Sequence, residues 1–234
     1  MGQNDNTTSL RSIVTRLLIP GKINVVRITG QAGAGKTNHV TPLVKQIAHE
    51  QGFWTGELPL DTFFKLSSED RARWLAEGEQ ISPDEGARRR DQLTWWDFNL
   101  AHKTISTIKD GKPVHLNGIY NRADQGRLTG RLSLQPAGEG LLIFEGVALP
   151  HIPGEGLNLY VHAPKHVRFP RLLERDKHRG PEEAQRRFKL TEEFEKRYFA
   201  DHWHLIHHCI DNSNGQYNDG DLPELPKPET YDMD

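Results

Sequence analysis

Apolar positions along the 234-residue chain follow two periods, and the places where they switch mark the elements. Leu10, Ile13, Val14, Leu17 and Leu18 recur at helical spacing until Pro20-Gly21 stops them, which predicts a short amphipathic lead-in. The β-branched run Ile23 to Ile28 predicts a buried strand ending in a Gly-rich turn. Val40, Leu43, Val44 and Ile47 then predict a helix over 37–50. Further strands are predicted at 58–60, 141–144, 157–161 and 205–210, and further helices at 68–76, 93–108 and 167–178. Strands alternating with helices imply an α/β fold, a parallel sheet with flanking helices on both faces. Val114 to Leu134, rich in Gly, Asn and Arg, reads as an irregular or hairpin insertion over the sheet's edge. The expected organisation is a helical lead-in over 1–22, one α/β domain over 23–215 and an acidic, Pro-containing mobile tail over 216–234.

Composition narrows the class. With 26% charged and 35% hydrophobic residues the chain is too polar for a membrane span and too apolar for wholesale disorder. Lys plus Arg (30) against Asp plus Glu (32) gives a net charge of -2, without the basic excess that nucleic-acid binding leaves. No nucleic-acid or membrane partner is therefore expected. The single cysteine, Cys209, cannot form an internal disulfide and the polar start has no signal-peptide run, so the cytoplasm is the expected compartment. A homo-oligomer is compatible with this composition.

The most specific motif is Gly30-Gln31-Ala32-Gly33-Ala34-Gly35-Lys36-Thr37, which fits G-x-x-x-x-G-K-[ST] between a predicted strand and a predicted helix. Glycines in such a loop let backbone N–H groups converge on phosphate oxygens, and the helix N-terminus adds positive potential. Lys36 then reaches the β and γ phosphates of ATP, and Thr37 holds Mg²⁺. The loop alone does not separate a metabolite kinase from a motor, a GTPase or a regulatory ATPase.

Other segments bear on that choice. Asp61, in Leu58 to Phe64, closes an apolar segment whose C-terminal end in a parallel sheet faces the ligand crevice. A carboxylate there can take the proton of an attacking hydroxyl or orient Mg²⁺. Glu145 ends the buried run Leu141 to Phe144, where a metal-shell acid is expected. Arg168, Arg171, Arg175 and Arg179 recur at three- and four-residue spacing, as lid arginines converging on a nucleotide would. The histidines between His202 and His208 invite a metal reading. In a strand, period 2 divides them between opposite faces, and no second ligand group stands out.

Taken together, Gly30 to Thr37, Asp61-Thr62-Phe63-Phe64, Asp110 to Val114, Tyr120, Phe144-Glu145-Gly146 and Arg175-Asp176 with Arg179-Gly180 stand in the order of the uridine kinase and phosphoribulokinase family. The resemblance covers roughly residues 23 to 212. It implies a P-loop kinase domain with an acceptor-side hairpin and an Arg-bearing lid, using ATP and Mg²⁺ on a small-molecule hydroxyl acceptor. It further implies Asp61 as general base, Lys36 and Arg175 as catalytic cations, Thr37 and Glu145 at the metal, and Arg168 and Arg179 as nucleotide contacts. Asp91, Tyr120, Arg122 and Gln125 fall on the acceptor side. Gln125 stands where nucleoside-specific members place a base-reading His, and Arg88, Arg89 and Arg90 suggest an anionic acceptor, a carboxylate or phosphate ester, if they face the acceptor pocket; a solvated loop end is the alternative. Pro170 departs from a continuous lid helix, implying a helix start or a kink there. The competing class is an NTPase switch with no small acceptor.

Overall fold

The computed structural model describes residues 10–177 and 180–213. In chain order the elements are α1 (Leu10–Leu17), β1 (Ile23–Thr29), α2 (Thr41–Glu50), β2 (Trp54–Pro59), α3 (Ser68–Ile81), α4 (Pro83–Arg90), α5 (Phe98–Lys109), β3 (Val114–Asn121), β4 (Arg127–Leu134), β5 (Gly140–Glu145), β6 (Leu157–His162), α6 (Lys165–Asp176), α7 (Pro181–His202) and β7 (His208–Asp211). Five strands form one parallel sheet in the order β2-β5-β1-β6-β7, and β3 and β4 pair separately as an antiparallel hairpin.

The expected α/β architecture is the one observed, and the reason lies in β1 and β5. Every residue of β1 is buried, so both faces of the sheet need cover. On one face Val26, Ile28, Leu141 and Ile143 pack against Leu10, Ile13 and Val14 of α1 and Val44 and Ile47 of α2. On the other, Ile23, Val25, Leu142 and Phe144 pack against Ala101, Ile105 and Ile108 of α5 and Phe194, Tyr198 and Phe199 of α7. The insertion at 114–134 is an antiparallel hairpin with register shifts between Asn117 and Ile119 and between Ile119 and Asn121, and its tip docks on α3 through Ser68 N–H donating to the Gly126 carbonyl.

Several expectations need correction. The strand expected at 205–210 starts only at His208, because residues 203–205 form a helical turn that His207 follows by donating its N–H to Asn158. The helix expected from Leu93 starts at Phe98, where Asp97 accepts from Leu100 N–H at 2.9 Å. α6 begins at Lys165 and runs through Pro170, so the proline does not start it. Two helices were not expected. α4 has almost no apolar residue to show a period; Ser82 caps it, Pro83 opens it, and Arg88 and Arg89 pair with Glu85. In α7 the apolar stripe of Phe188, Phe194, Tyr198 and Phe199 is interrupted by the buried Glu192 and Glu195. Arg179 and the tail over 216–234 lie outside the described residues.

Glycine is required at the hairpin tip. Gly126 has φ +79°, and a Cβ there would overlap the Ser68 hydroxyl and crowd Tyr120, whereas Gly118 in the same hairpin has φ +68° and open surroundings. Alanine at either site carries a left-handed backbone cost of about 1–2 kcal/mol. Only Gly126→Ala should also loosen the docked tip, seen as faster amide exchange through 114–134 and at the start of α3. Equal exchange in the two variants would contradict the docking.

Candidate active site

The phosphate loop follows β1, and the C-terminal ends of β5 and, one strand further out, β2 lie level with it on one side, because Ile28 of β1 and Pro59 of β2 both stand opposite Glu145 of β5. Gly33 and Gly35 adopt positive φ, and a Cβ on Gly33 would come within 2.8 Å of the Arg168 carbonyl. The first turn after the loop, 36–40, is widened, with Val40 N–H reaching back to the Gly35 carbonyl at 3.4 Å.

Turning N–H groups inward sends the loop's carbonyls outward, and the carbonyls of residues 30 to 35 each have a donor. Lys36 Nζ serves Gly30 at 2.7 Å and Gln31 at 2.9 Å. Arg168 Nη1 lies 3.5 Å from the Ala32 oxygen, and Arg171 Nη1 donates to Gly33 at 3.1 Å. Asn212 Nδ2, just past β7 and fully buried, donates to Ala34 at 2.6 Å, and His39 N–H donates to Gly35 at 3.0 Å. On the inner side Ala32 N–H donates to Glu195 Oε1 of α7 at 2.8 Å. Gln31 and Ala34 are buried beneath the loop, the Gln31 amide oxygen lying 3.5 Å from the Tyr160 hydroxyl.

Glu145 accepts from two hydroxyls at once, Thr37 Oγ1 at 2.9 Å and Thr41 Oγ1 at 3.1 Å. The pair of expected metal ligands is therefore in direct contact. Asp61 sits in a helical turn between Leu60 and Phe63, both buried, and Leu60 abuts Gly146. Those anchors fix its backbone beside β5. Its carboxylate forms an ion pair with Arg122 from the base of the hairpin tip. Tyr120, one turn away, donates to or accepts from Ser68 Oγ at 3.0 Å and packs on Phe64 with ring centroids 4.9 Å apart.

The electrostatics tie these groups together. Burial pulls the Lys36 pKa down, and Glu195, Glu145 and Asp61 oppose that shift while Arg175 reinforces it. Burial pushes Glu195 up to about 7, against the pull of Lys36, Arg168 and the Ala32 N–H.

The remaining expected residues divide. Arg168 is fully buried, donates to the Ala163 carbonyl at 2.9 Å and lies 3.7 Å from Glu192, so it braces the loop from behind. Arg175 is bidentate to Asp176 while remaining within electrostatic reach of Lys36. Asp91 caps the turn after α4 and faces Arg197 of α7 at 3.9 Å, in a cavity of about 260 Å³; no contact among the described residues joins it to Asp61, Tyr120 or Arg122. Gln125 is exposed at the hairpin turn with φ 54°. The arginines expected to serve the acceptor are neutralised within their own helical pair: Arg88 and Arg89 by Glu85, Arg90 by Glu79. Among the described residues no group of three metal-ligating side chains gathers the histidines, and His207 Nδ1 accepts from Asn158 N–H at 2.9 Å. Sequence reasoning missed Glu195 and Asn212; for Asn212 the available signal was its place two residues past a predicted strand.

No family model matches the chain, and no curated protein matches it in sequence. Solved structures do share its fold. It aligns with a candidate fructose transport system kinase from Silicibacter sp. TM1040 at TM-score 0.61 and 18% identity, over 82% of this chain and 93% of that one. A candidate uridine kinase from Bacillus stearothermophilus gives TM-score 0.56 and 15% identity over 83% and 90%. Phosphoribulokinase from Rhodobacter spheroides gives 0.55 and 14% over 80% and 70%. At these identities the likeness is one of fold, and the fold is that of the kinase-type P-loop NTPases.

Glu195 makes the site's stability depend on pH in one direction. In the unfolded chain a glutamate ionises near its ordinary 4.5, whereas the folded protein holds this proton to about 7. Across that interval the unfolded state releases a proton the folded state keeps, so stability falls as pH rises and the loss is complete above about 7. Glu195→Gln removes the titration and keeps an oxygen for Ala32 N–H. Its urea midpoint should gain on wild type from pH 5 to pH 7 and hold that gain at pH 8; a gap independent of pH would contradict the assignment.

Proposed function

We propose that the chain is an ATP-dependent kinase that transfers the γ-phosphoryl group to a hydroxyl of a small metabolite. The observation that carries this reading is the convergence of loop 30–37, Asp61 and Glu145 at the C-terminal ends of three adjacent parallel strands. The residues present fit the groups the reaction needs. Thr37 and Glu145 supply hard oxygen donors of the kind Mg²⁺ prefers, and the positive-φ glycines put no side chain of their own over the loop's N–H groups, of which that of Ala32 is held by Glu195. Bound there, Mg²⁺ would neutralise phosphate charge.

In this reading Lys36 exchanges the Gly30 and Gln31 carbonyls for phosphate oxygens, which also relieves its desolvation. Arg175 adds a second cation as charge develops. Asp61 accepts the acceptor's hydroxyl proton; that oxygen forms a bond to the γ-phosphorus, the bond to the β–γ bridging oxygen breaks, and the electron pair leaves with ADP. Arg122 holds Asp61 in place until an acceptor hydroxyl replaces it as hydrogen-bond partner. Arg168 and Asn212 act as positioning residues, since both touch the loop's carbonyl side. Arg179 keeps the nucleotide role its motif implies. The single cysteine and the absence, among the described residues, of any helix long and apolar enough to cross a membrane fit a cytoplasmic setting.

Phosphoryl transfer should depend on two residues in different ways. Lys36→Ala should lower kcat/KM for ATP roughly 10²- to 10³-fold. Asp61→Asn should lower kcat roughly 10²- to 10⁴-fold and leave the Kd for Mg·ATP near its wild-type value. Coupled assays of ADP release with and without hydroxyl acceptors check both. Hydrolysis that no acceptor stimulates and that Asp61→Asn leaves unchanged would instead mark an NTPase without a small acceptor.

A further inference from the structure

Four arginines are nearly or fully buried: Arg27, Arg71, Arg89 and Arg168, at 2%, 5%, 9% and 0% exposure. Arg89 and Arg168 have carboxylates beside them, Glu85 and Glu192. Arg27 lies along β1 and donates to the Gly154 carbonyl at 3.0 Å. Arg71 differs from Arg89 and Arg168 in having no carboxylate beside it, and from Arg27 in lining a cavity. Among the described residues no carboxylate lies within ion-pair distance of it; it donates to the Leu66 carbonyl at 3.3 Å and has a side-chain hydrogen-bond contact with Tyr120. A guanidinium carries five N–H donors, so these two contacts leave donors for a ligand in an adjoining cavity.

What surrounds Arg71 is aromatic. Its guanidinium lies 4.0 Å from the centroid of Phe64, 5.0 Å from Trp95 and 5.8 Å from Tyr120. These rings orient a cation without neutralising it. The residue lines a cavity of about 410 Å³ together with Lys65, Trp74 and Trp95. Lys65 Nζ donates to the Thr94 carbonyl at 3.1 Å and likewise has no carboxylate partner among the described residues. Arg88, on the same wall, is already bidentate to Glu85. Burial lowers the Arg71 pKa and nearby Arg187 lowers it further, while Tyr120 and Asp61 oppose them. The Arg71 guanidinium and the Lys65 ammonium, on one cavity wall and with no carboxylate partner among the described residues, favour an anion between them.

Arg71 also adjoins the segments that carry the chemistry. Phe64, under Arg71, is three residues past Asp61, and Tyr120, at its side, is two residues before the Arg122 that pairs with Asp61. We infer that Arg71, seconded by Lys65, binds the anionic group of the phosphoryl acceptor, so that the substrate is a small hydroxylated metabolite bearing a carboxylate or a phosphate ester. This rests on the kinase reading above and names its substrate class. It also moves the acceptor's recognition away from Arg88 to Arg90, the cluster that the sequence favours, to a single arginine that the sequence does not single out.

The test uses matched acceptor pairs: D-glycerate with glycerol, pantothenate with panthenol, and D-ribulose 5-phosphate with D-ribulose, with uridine as a neutral reference. In wild type the anionic member of at least one pair should be phosphorylated at least about 10-fold more efficiently than its partner, and Arg71→Met should reduce that advantage roughly 10- to 100-fold without changing the Kd for Mg·ATP. Which pair responds distinguishes carboxylate from phosphate. Binding of the same anions is read separately from the fluorescence of Trp74 and Trp95, in the full chain carrying Lys36→Ala so that the phosphate loop does not report. A saturable change that Arg71→Met abolishes and Arg71→Lys partly keeps supports the site. Faster turnover of uridine or the neutral members overturns it while leaving the kinase reading intact, as does a fluorescence response that is absent or indifferent to Arg71. Arg71-dependent anion binding with no phosphoryl transfer to any acceptor would instead overturn the kinase reading.

Discussion

A phosphate-binding loop must aim its N–H groups at one point, and doing so exposes a row of carbonyls on its other side. Those carbonyls cannot be left buried and unpaired. The rest of the structure is organised around supplying lasting donors to the carbonyls of residues 32 to 35: Arg168 and Arg171 from α6, Asn212 from the end of β7, and the widened turn at 36–40 for Gly35, while Lys36 serves Gly30 and Gln31 in the nucleotide-free loop. The partners come from up to 178 residues away, so the loop's shape requires the sheet and both C-terminal helices.

That requirement explains otherwise puzzling polar groups in the core. A fully buried Arg168 needs an anion, and Glu192 supplies it while also pairing with Lys165 at 3.0 Å. Glu195 has the opposite task. With one oxygen on the Ala32 N–H and the other without a hydrogen-bond partner among the described residues, it keeps a carboxyl group beside the loop's inner face. Packing thus fixes α7 against the sheet through Phe194, Tyr198 and Phe199, and the same helix delivers the charges that set the loop's electrostatics.

How much of this was legible in the chain follows from the range of the interactions. β1, β5 and β6 announced themselves because apolar runs buried in the sheet need no partner to be recognised, whereas β2, half-buried and polar over Thr55 to Glu57, was legible only at its end; the loop was legible because its glycines and Lys36-Thr37 are contiguous. Asp61 and Glu145 could be placed because strand ends carry a direction. Asn212, Glu195 and Arg71 are different: each is an ordinary polar residue until a distant segment folds against it. The Arg88 to Arg90 run misled for the same reason, since a cluster of like charges in sequence looks available until Glu85 and Glu79 are seen beside it. The hairpin's existence was readable from its Gly and Asn content, whereas the docking of Gly126 on Ser68 was not.

The account stands most directly on a crystal structure of the chain with Mg²⁺ and a non-hydrolysable ATP analogue. It predicts that the β and γ phosphates lie within loop 30–37, that Lys36 Nζ leaves the Gly30 and Gln31 carbonyls for phosphate oxygens, and that Arg168, Arg171 and Asn212 keep their carbonyl partners. A nucleotide bound elsewhere, or a loop whose carbonyls change donors while Lys36 stays on Gly30, would contradict it.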